Sequence, residues 1–326
     1  MKVLVLGARG FAKVHLESLR RLGAEIAVFD RKPEALKEAI DSFGAGTTFT
    51  DINCALSSDA EIVDIVLPHN MHRDIAIKAI SRGKHVIIEK PISTTVAQGR
   101  EIIAAAKKAG RKLMVAEQYF FDPAVRWTVE AISQGKIGRV QTIVVRDQRL
   151  YQKDGWRARK STMGGGALID GGIHYVDTML NFGGDYTGIK SYVYHGISTL
   201  EGEDTSMALF RFGNGAHGLL LYTWSYPHAP LLPSFEVVGS EGSIVEDARS
   251  HPKADFKYMK GTRYAFGHPL LNGKLVKMRR YDVFDREIGE FIRSIEEGVD
   301  VPMDPSIALR DLGGVLAIYK AGSAAR

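Results

Sequence analysis

One cysteine stands in 326 residues, Cys54, so the chain can form no internal disulfide and no metal centre built on several thiolates. That scarcity leads us to expect a reducing, cytoplasmic setting. Long apolar runs are missing too. The opening Met1-Lys-Val-Leu-Val-Leu-Gly7 is apolar but far too short for the core of a secretory leader or a membrane span, so neither a leader nor a membrane partner is expected. Charge of one sign is also modest, with 43 Lys and Arg against 38 Asp and Glu leaving +5. The excess gathers in two stretches: six basic residues against two acidic between Arg146 and Lys160, and eight against one from Lys253 to Arg280. Neither interleaves cations with aromatics as nucleic-acid motifs do. Both read as solvated loops, with no nucleic-acid partner expected and an anionic substrate left open.

What is present is ordinary for a globular protein. Hydrophobic residues make up 45% and charged residues 25%, and the length suits two domains better than one small core. Short Val/Ile/Leu runs alternate with helical patterns in the first part: Lys2–Leu6, Phe11–Leu22, Glu25–Phe29, Pro33–Ile40, Ile62–Leu67, Met71–Ser81, His85–Ile88, Thr95–Ala109 and Leu113–Ala116. Fully apolar strands spaced by amphipathic helices predict a doubly wound parallel sheet, with ligands outside the carboxyl ends of its strands. Beyond about residue 120 the pattern changes. A helix over Asp122–Gln134 and a long strand over Val140–Leu150 lead into alternating segments at Ile189–Ser198, Ser206–Phe212, His217–Tyr222, Ser234–Val238 and Gly242–Val245. Helices over Phe284–Glu297 and Ser306–Ser323 close the chain. The expected class is α/β, with a Rossmann domain over 1–120 and an α+β domain over 121–326 that carries an open, largely antiparallel sheet.

Gly7-Ala-Arg-Gly10-Phe-Ala12 follows a predicted strand and opens a predicted helix, the context a dinucleotide fingerprint requires. Gly7 would allow the tight turn, Gly10 the approach of a pyrophosphate, and Ala12 the packing of helix on strand. Arg9 stands where the second glycine is usual. Asp30 ends the second strand, twenty-three residues beyond Gly7, where a carboxylate binds the adenosine ribose. The plainer alternative is a cap for the helix from Pro33. Asp30 favours NAD; the adjacent Arg31 and Lys32 could accommodate NADP.

Two later motifs carry the chemistry. Glu89-Lys90-Pro91 closes an apolar strand, and Asp170-Gly-Gly-Ile-His174 follows Gly164-Gly-Gly166 at the start of a helical pattern. Were a dinucleotide bound at the glycine turn to oxidise an alcohol, the step would need a base, a hydride acceptor and positive charge near the alkoxide. On a helix Asp170 and His174 share a face, with Asp177 close to it. His174 is the natural base, Lys90 the cation, and Asp170 a partner for a substrate hydroxyl. Taken singly each has a plainer reading: a satisfied helix histidine, a surface lysine, and a helix N-terminal charge. His69 and His72 lie three apart, but no third ligand is near, so we expect no metal and assign their rings to capping and packing.

In order along the chain these landmarks resemble the family of glucose-fructose oxidoreductase and inositol dehydrogenase, also called GFO/IDH/MocA. Leu67-Pro68-His69-Asn70-Met71-His72 is similar to the family's T-P-N-x-x-H, with Leu67 and His69 departing from it. Glu89-Lys90-Pro91 matches its motif in full. Val115-Ala-Glu-Gln118-Tyr-Phe-Phe-Asp-Pro123 resembles the segment closing the nucleotide domain, with Phe120 where arginine is common. Trp156-Arg157, Gly164–Gly166 and Asp170-x-x-x-His174-x-x-Asp177 follow, and Ala317-Ile-Tyr-Lys320 is also family-like.

The resemblance implies catalytic roles for Lys90, Asp170 and His174, and a cis peptide at Lys90–Pro91. It also implies that Arg9, Phe11, Pro68, His69, His72, Glu89, Lys90, Pro91, Gln118, Trp156 and Arg157 lie along the cofactor. The expected activity is NAD(P)-dependent hydride transfer with a sugar- or polyol-like substrate, in a homodimer or homotetramer. Two other readings stay open: a redox-neutral enzyme that cleaves or eliminates through a transient ketone, and a cofactor-sensing protein without chemistry. Intact Lys90, Asp170 and His174 argue against the sensor.

Overall fold

A computed structural model describes residues 1–252 and 261–323, so the first part of the basic run Lys253–Arg280 lies outside the described residues. The chain divides into two compact units. The first comprises Met1–Gln118 together with Asp282–Leu309, a late segment that a single division near residue 120 assigns elsewhere.

In the first unit, strands β1 (Lys2–Leu6), β2 (Glu25–Phe29), β3 (Thr47–Phe49), β4 (Ile62–Ile65), β5 (His85–Glu89) and β6 (Leu113–Ala116) alternate with helices α1 (Ala12–Arg21), α2 (Pro33–Phe43), α3 (Ile52–Leu56), α4 (His72–Ser81) and α5 (Val96–Ala109). The sheet runs β3-β2-β1-β4-β5-β6, every pair parallel. Chain order reverses between β1 and β4, so the ligand crevice of such a sheet lies beyond the end of β1, where Gly7 follows. Val3, Leu4, Val5 and Leu6 are all buried, and burying each contributes about 1.5–3 kcal/mol relative to exposure. Thr95 caps α5 by accepting the Gln98 N–H, and Gly110 ends that helix in the left-handed conformation.

The second unit is formed by the described residues of Tyr119–Tyr281 and Arg310–Arg326. It holds α6 (Pro123–Ser133), β7 (Val140–Gln148), α7 (Lys160–Met163), α8 (Ile173–Gly183), β8 (Tyr186–Tyr194), β9 (Thr205–Phe212), β10 (His217–Thr223), β11 (Phe235–Gly239), β12 (Ser243–Glu246), β13 (Pro269–Leu271) and β14 (Lys274–Leu275). Helix α9 (Val283–Glu296) belongs to the first unit, and α10 (Pro305–Ser323) enters the second from Arg310 on. The strands make one open sheet, β14-β13-β12-β11-β7-β10-β9-β8, antiparallel except where β7 and β10 run parallel. Alternation sets its two faces. In β9, Ala208, Phe210 and Phe212 are buried while Met207 and Leu209 are exposed. Helix α8 packs on β7 and β10.

The segment read as one regular helix from Asp170 is not regular. Leu168–Gly172 is a π-helical turn, and the α-helix starts at Ile173. Glycine is needed within it: a Cβ on Gly171 would lie 2.0 Å from the Tyr222 hydroxyl, so only glycine lets this turn press against β10. Such π turns recur at functional sites.

Candidate functional site

The first unit carries the candidate cofactor residues. Gly7 has φ 113°, and a Cβ there would stand 2.7 Å from the Val66 carbonyl oxygen, so no other residue fits. Gly10 is left-handed at φ 58°, and a Cβ on it would meet nothing within 4 Å. The turn is therefore open on the side that leads into α1, whose N-terminal dipole favours a phosphate. Ala12 is buried and faces Gly7. Asp30 is buried at the end of β2; its Oδ2 accepts the Ala8 N–H at 3.1 Å and the Arg9 Nε–H at 3.2 Å, and its Oδ1 accepts the Lys32 N–H at 2.9 Å. These residues fit the pyrophosphate and ribose of a nicotinamide dinucleotide. Arg31 is exposed, and the Phe11 ring packs edge-on against His15 and Phe284.

Beyond β4, Pro68 leads into a short 3-10 turn, His69–Met71, in which His69 is buried with its ring 5.6 Å from that of His72. His72 joins two segments: Nδ1 lies 2.8 Å from the Pro91 carbonyl and Nε2 2.9 Å from the Leu67 carbonyl. Burial pulls its pKa below the usual range against the pull of those carbonyls. His72 thus ties the Leu67–Pro68 strand end to the Lys90–Pro91 segment, whose peptide bond is cis. Lys90 and Glu89 are buried, as is Gln118.

Glu89 reveals a constellation that sequence reading missed. His15 of α1, wholly buried, sets Nδ1 2.9 Å from Asp64 Oδ2 and Nε2 3.1 Å from Glu89 Oε1. Burial works against the imidazolium, but the charges and hydrogen bonds of Asp64 and Glu89 outweigh it and raise the His15 pKa well above its ordinary value. Glu287 of α9 faces the same cluster, wholly buried, and burial raises its carboxyl pKa strongly. The signal in the sequence was Asp64, a carboxylate in the middle of the apolar Ile62-Val-Asp-Ile65.

The second unit holds Asp170 and His174, both buried. The Tyr119 ring lies flat on the His174 ring, centroids 4.4 Å apart at 15°. Arg157 Nε stands 3.3 Å from Asp170 Oδ2, and its guanidinium covers the Trp156 ring at 4.3 Å. Asp177 is engaged elsewhere, accepting from Asn181 Nδ2 at 3.0 Å and pairing with Arg310 at 3.3 Å. The π turn is held from behind. The Tyr319 hydroxyl donates to Glu203 Oε1 at 2.7 Å and accepts the Ile169 N–H at 3.2 Å, while Glu203 Oε1 accepts the Leu168 N–H at 2.9 Å. Glu203 was not foreseen; Tyr319, within the family-like Ala317–Lys320, was the trace of it. Among the described residues no group of three or more His, Cys, Asp or Glu could hold a metal ion.

Residues 1–117 match the oxidoreductase family model with an NAD-binding Rossmann fold, and residues 125–245 match the GFO/IDH/MocA C-terminal domain. Levoglucosan dehydrogenase of Pseudarthrobacter phenanthrenivorans is 29% identical over 67% of this chain and 63% of its own length. D-apiose dehydrogenase of Paraburkholderia graminis is 29% identical over 74% of this chain and 66% of its own length. The matches thus span just under two thirds of either relative. Among solved structures, the WlbA dehydrogenase of Bordetella pertussis, in complex with NADH and UDP-GlcNAcA, superposes with a TM-score of 0.83 at 22% identity, covering 100% of this chain and 97% of that one. The chain belongs to the GFO/IDH/MocA oxidoreductase family.

Proposed function

We propose that this chain is an NAD(P)-dependent dehydrogenase or reductase that interconverts a secondary alcohol and a ketone on a sugar, cyclic polyol or related hydroxy compound. One observation carries this reading: Lys90, Asp170 and His174 all survive in intact family motifs, and each is withdrawn from solvent, at 8%, 3% and 7% exposure. Lysine and aspartate are seldom buried so deeply without a partner or a task. When bound, the nicotinamide cofactor supplies the hydride acceptor or donor. His174 takes the proton of the substrate hydroxyl, and returns it when the reaction runs toward the alcohol. The flat Tyr119 ring limits its rotation. Lys90 stabilises the developing alkoxide with its ammonium. Asp170, steadied by Arg157, accepts a hydrogen bond from a substrate hydroxyl and fixes orientation. The carbohydrate substrates named for two relatives support alcohol groups of this kind. A panel of sugars and cyclic polyols, followed by the absorbance of reduced nicotinamide, tests the reading; no turnover with any member in either direction would count against it.

The working form that fits the second unit is a homodimer or homotetramer. On the outer sheet face, Tyr192, Met207 and Leu221 pair across β8, β9 and β10, and Leu209, Leu219 and Val144 pair across β9, β10 and β7. Tyr192, Met207, Leu209 and Leu219 are exposed. Contiguous apolar faces of this kind mark interaction sites. Among the described residues no helix is long and apolar enough to cross a membrane. The lone free thiol, Cys54, is exposed, which suits a reducing cytoplasm.

A further inference from the structure

The turn position that ordinarily carries the second glycine holds Arg9, and Arg9 is tied to the carboxylate at the ribose end. Three of the roughly four acceptor sites of the Asp30 carboxylate are filled by the protein itself, from Ala8, Arg9 and Lys32. The two partners of the ion pair differ sharply in exposure: 61% of the Arg9 side chain faces solvent against 6% of Asp30. Arg9 binds Asp30 through Nε, which leaves the two Nη groups of an exposed guanidinium for a ligand. Arg31 and Lys32, the cations that sequence alone suggests, are both exposed, and Lys32 reaches Asp30 through its backbone N–H.

We propose that Arg9 decides between NAD and NADP in this chain, binding the 2′-phosphate of NADP and cancelling the repulsion that Asp30 alone would exert on it. This rests on the cofactor reading above. A phosphate on the ribose hydroxyl served by Asp30 comes up against that carboxylate, and a bare carboxylate repels it. An Asp–Arg pair has little net charge at that range, and a guanidinium matches phosphate oxygens with parallel N–H donors. Glycine at this position would supply neither effect. The departure from the usual spelling of the turn thus broadens cofactor choice.

Calorimetric titration of NAD and NADP into the full-length protein and into Arg9→Gly tests this. Arg9→Gly is expected to lower the ratio of NADP to NAD affinity at least about tenfold, a difference of about 1.4 kcal/mol. As probes, 2′-AMP should follow NADP and 5′-AMP should follow NAD. Raising salt from about 50 to about 500 mM should weaken NADP more than NAD in wild type, and equally in Arg9→Gly. Arg9→Lys, which keeps the charge, should retain part of the NADP affinity. An unchanged ratio of NADP to NAD affinity in Arg9→Gly would overturn the proposal. So would an equal loss of both cofactors, or a loss of NADP on Arg31→Ala that Arg9→Gly does not show. Failure of wild type to bind NAD at all would overturn the cofactor reading itself.

Discussion

His15 and Glu89 are hydrogen-bonded at 3.1 Å with both side chains buried, although 74 residues separate them. Glu89 immediately precedes Lys90, and the other His15 nitrogen meets Asp64. Removing one member of a buried charged set strands the others, at a cost of about 3–5 kcal/mol. His15→Ala is therefore expected to lower the stability of the first unit by that order, measured by chemical denaturation; a loss under about 1 kcal/mol would contradict the pairing.

The same cluster sets a pH dependence. The folded pKa of His15 is raised by Asp64 and Glu89 over the opposing effect of burial. That of Glu287 is raised by burial, with Glu89, Glu117 and Asp64 adding to it and His15 opposing. For both groups the folded value exceeds the unfolded one. Their contributions are therefore complete below the unfolded values of about 6.5 and 4.3, and fall as pH rises toward the folded values. Melting temperature should decline from about pH 4.3 upward through Glu287, and more steeply above about pH 6.5 where His15 adds to it. Glu287→Gln, which cannot ionise, should flatten that decline in a pH series of thermal melts, and an unchanged slope would refute the assignment.

Asp30→Ser removes the carboxylate while sparing Arg9. Wild type is expected to bind NAD more tightly than NADP, and Asp30→Ser to narrow or reverse that preference, by about tenfold for the loss of a charged acceptor. Calorimetry with both cofactors gives the answer; an unchanged preference would remove Asp30 from cofactor choice.

Tyr319→Phe deletes the hydroxyl that joins Glu203 to the turn before Asp170. Leaving such part-buried groups unpaired costs about 1 kcal/mol. Turnover should fall while NAD affinity holds, because Tyr319 belongs to the second unit. Equal losses in both would point to general unfolding.

Charge on the outer sheet face should break assembly. Leu209→Lys combined with Leu219→Lys places two cations at directly paired positions of β9 and β10. Sedimentation should show wild type above 35.9 kDa and the double variant at that monomer mass. A wild type that is monomeric at micromolar concentration would refute the oligomer.

The parts of this fold legible in sequence were those fixed by local pattern. A four-residue apolar run marked β6, an apolar run broken only by Asp64 marked β4, and alternation marked β9 and β10. Gly7 and Asp30 marked the ends of β1 and β2, because backbone sterics and ligand chemistry demand those residues there. Short elements escaped: β3, α3, and the β13–β14 hairpin are too brief to show a period. The π turn at Leu168–Gly172 escaped because the contact that demands glycine within it, the Tyr222 hydroxyl over Gly171, lies on a strand some fifty residues away. His15, Asp64 and Glu89 meet only through the sheet topology, and Asp282–Leu309 returns to the first unit across the whole second sheet.

The most direct test of the catalytic assignment is turnover by Lys90→Ala and His174→Ala on a substrate drawn from the sugar and polyol panel, with NAD affinity measured in parallel. Both variants are expected to lose about 10²–10⁴-fold in turnover, the usual contribution of acid–base groups, while NAD affinity changes little. Near wild-type turnover in both would contradict the assignment of Lys90 and His174 to the chemical step.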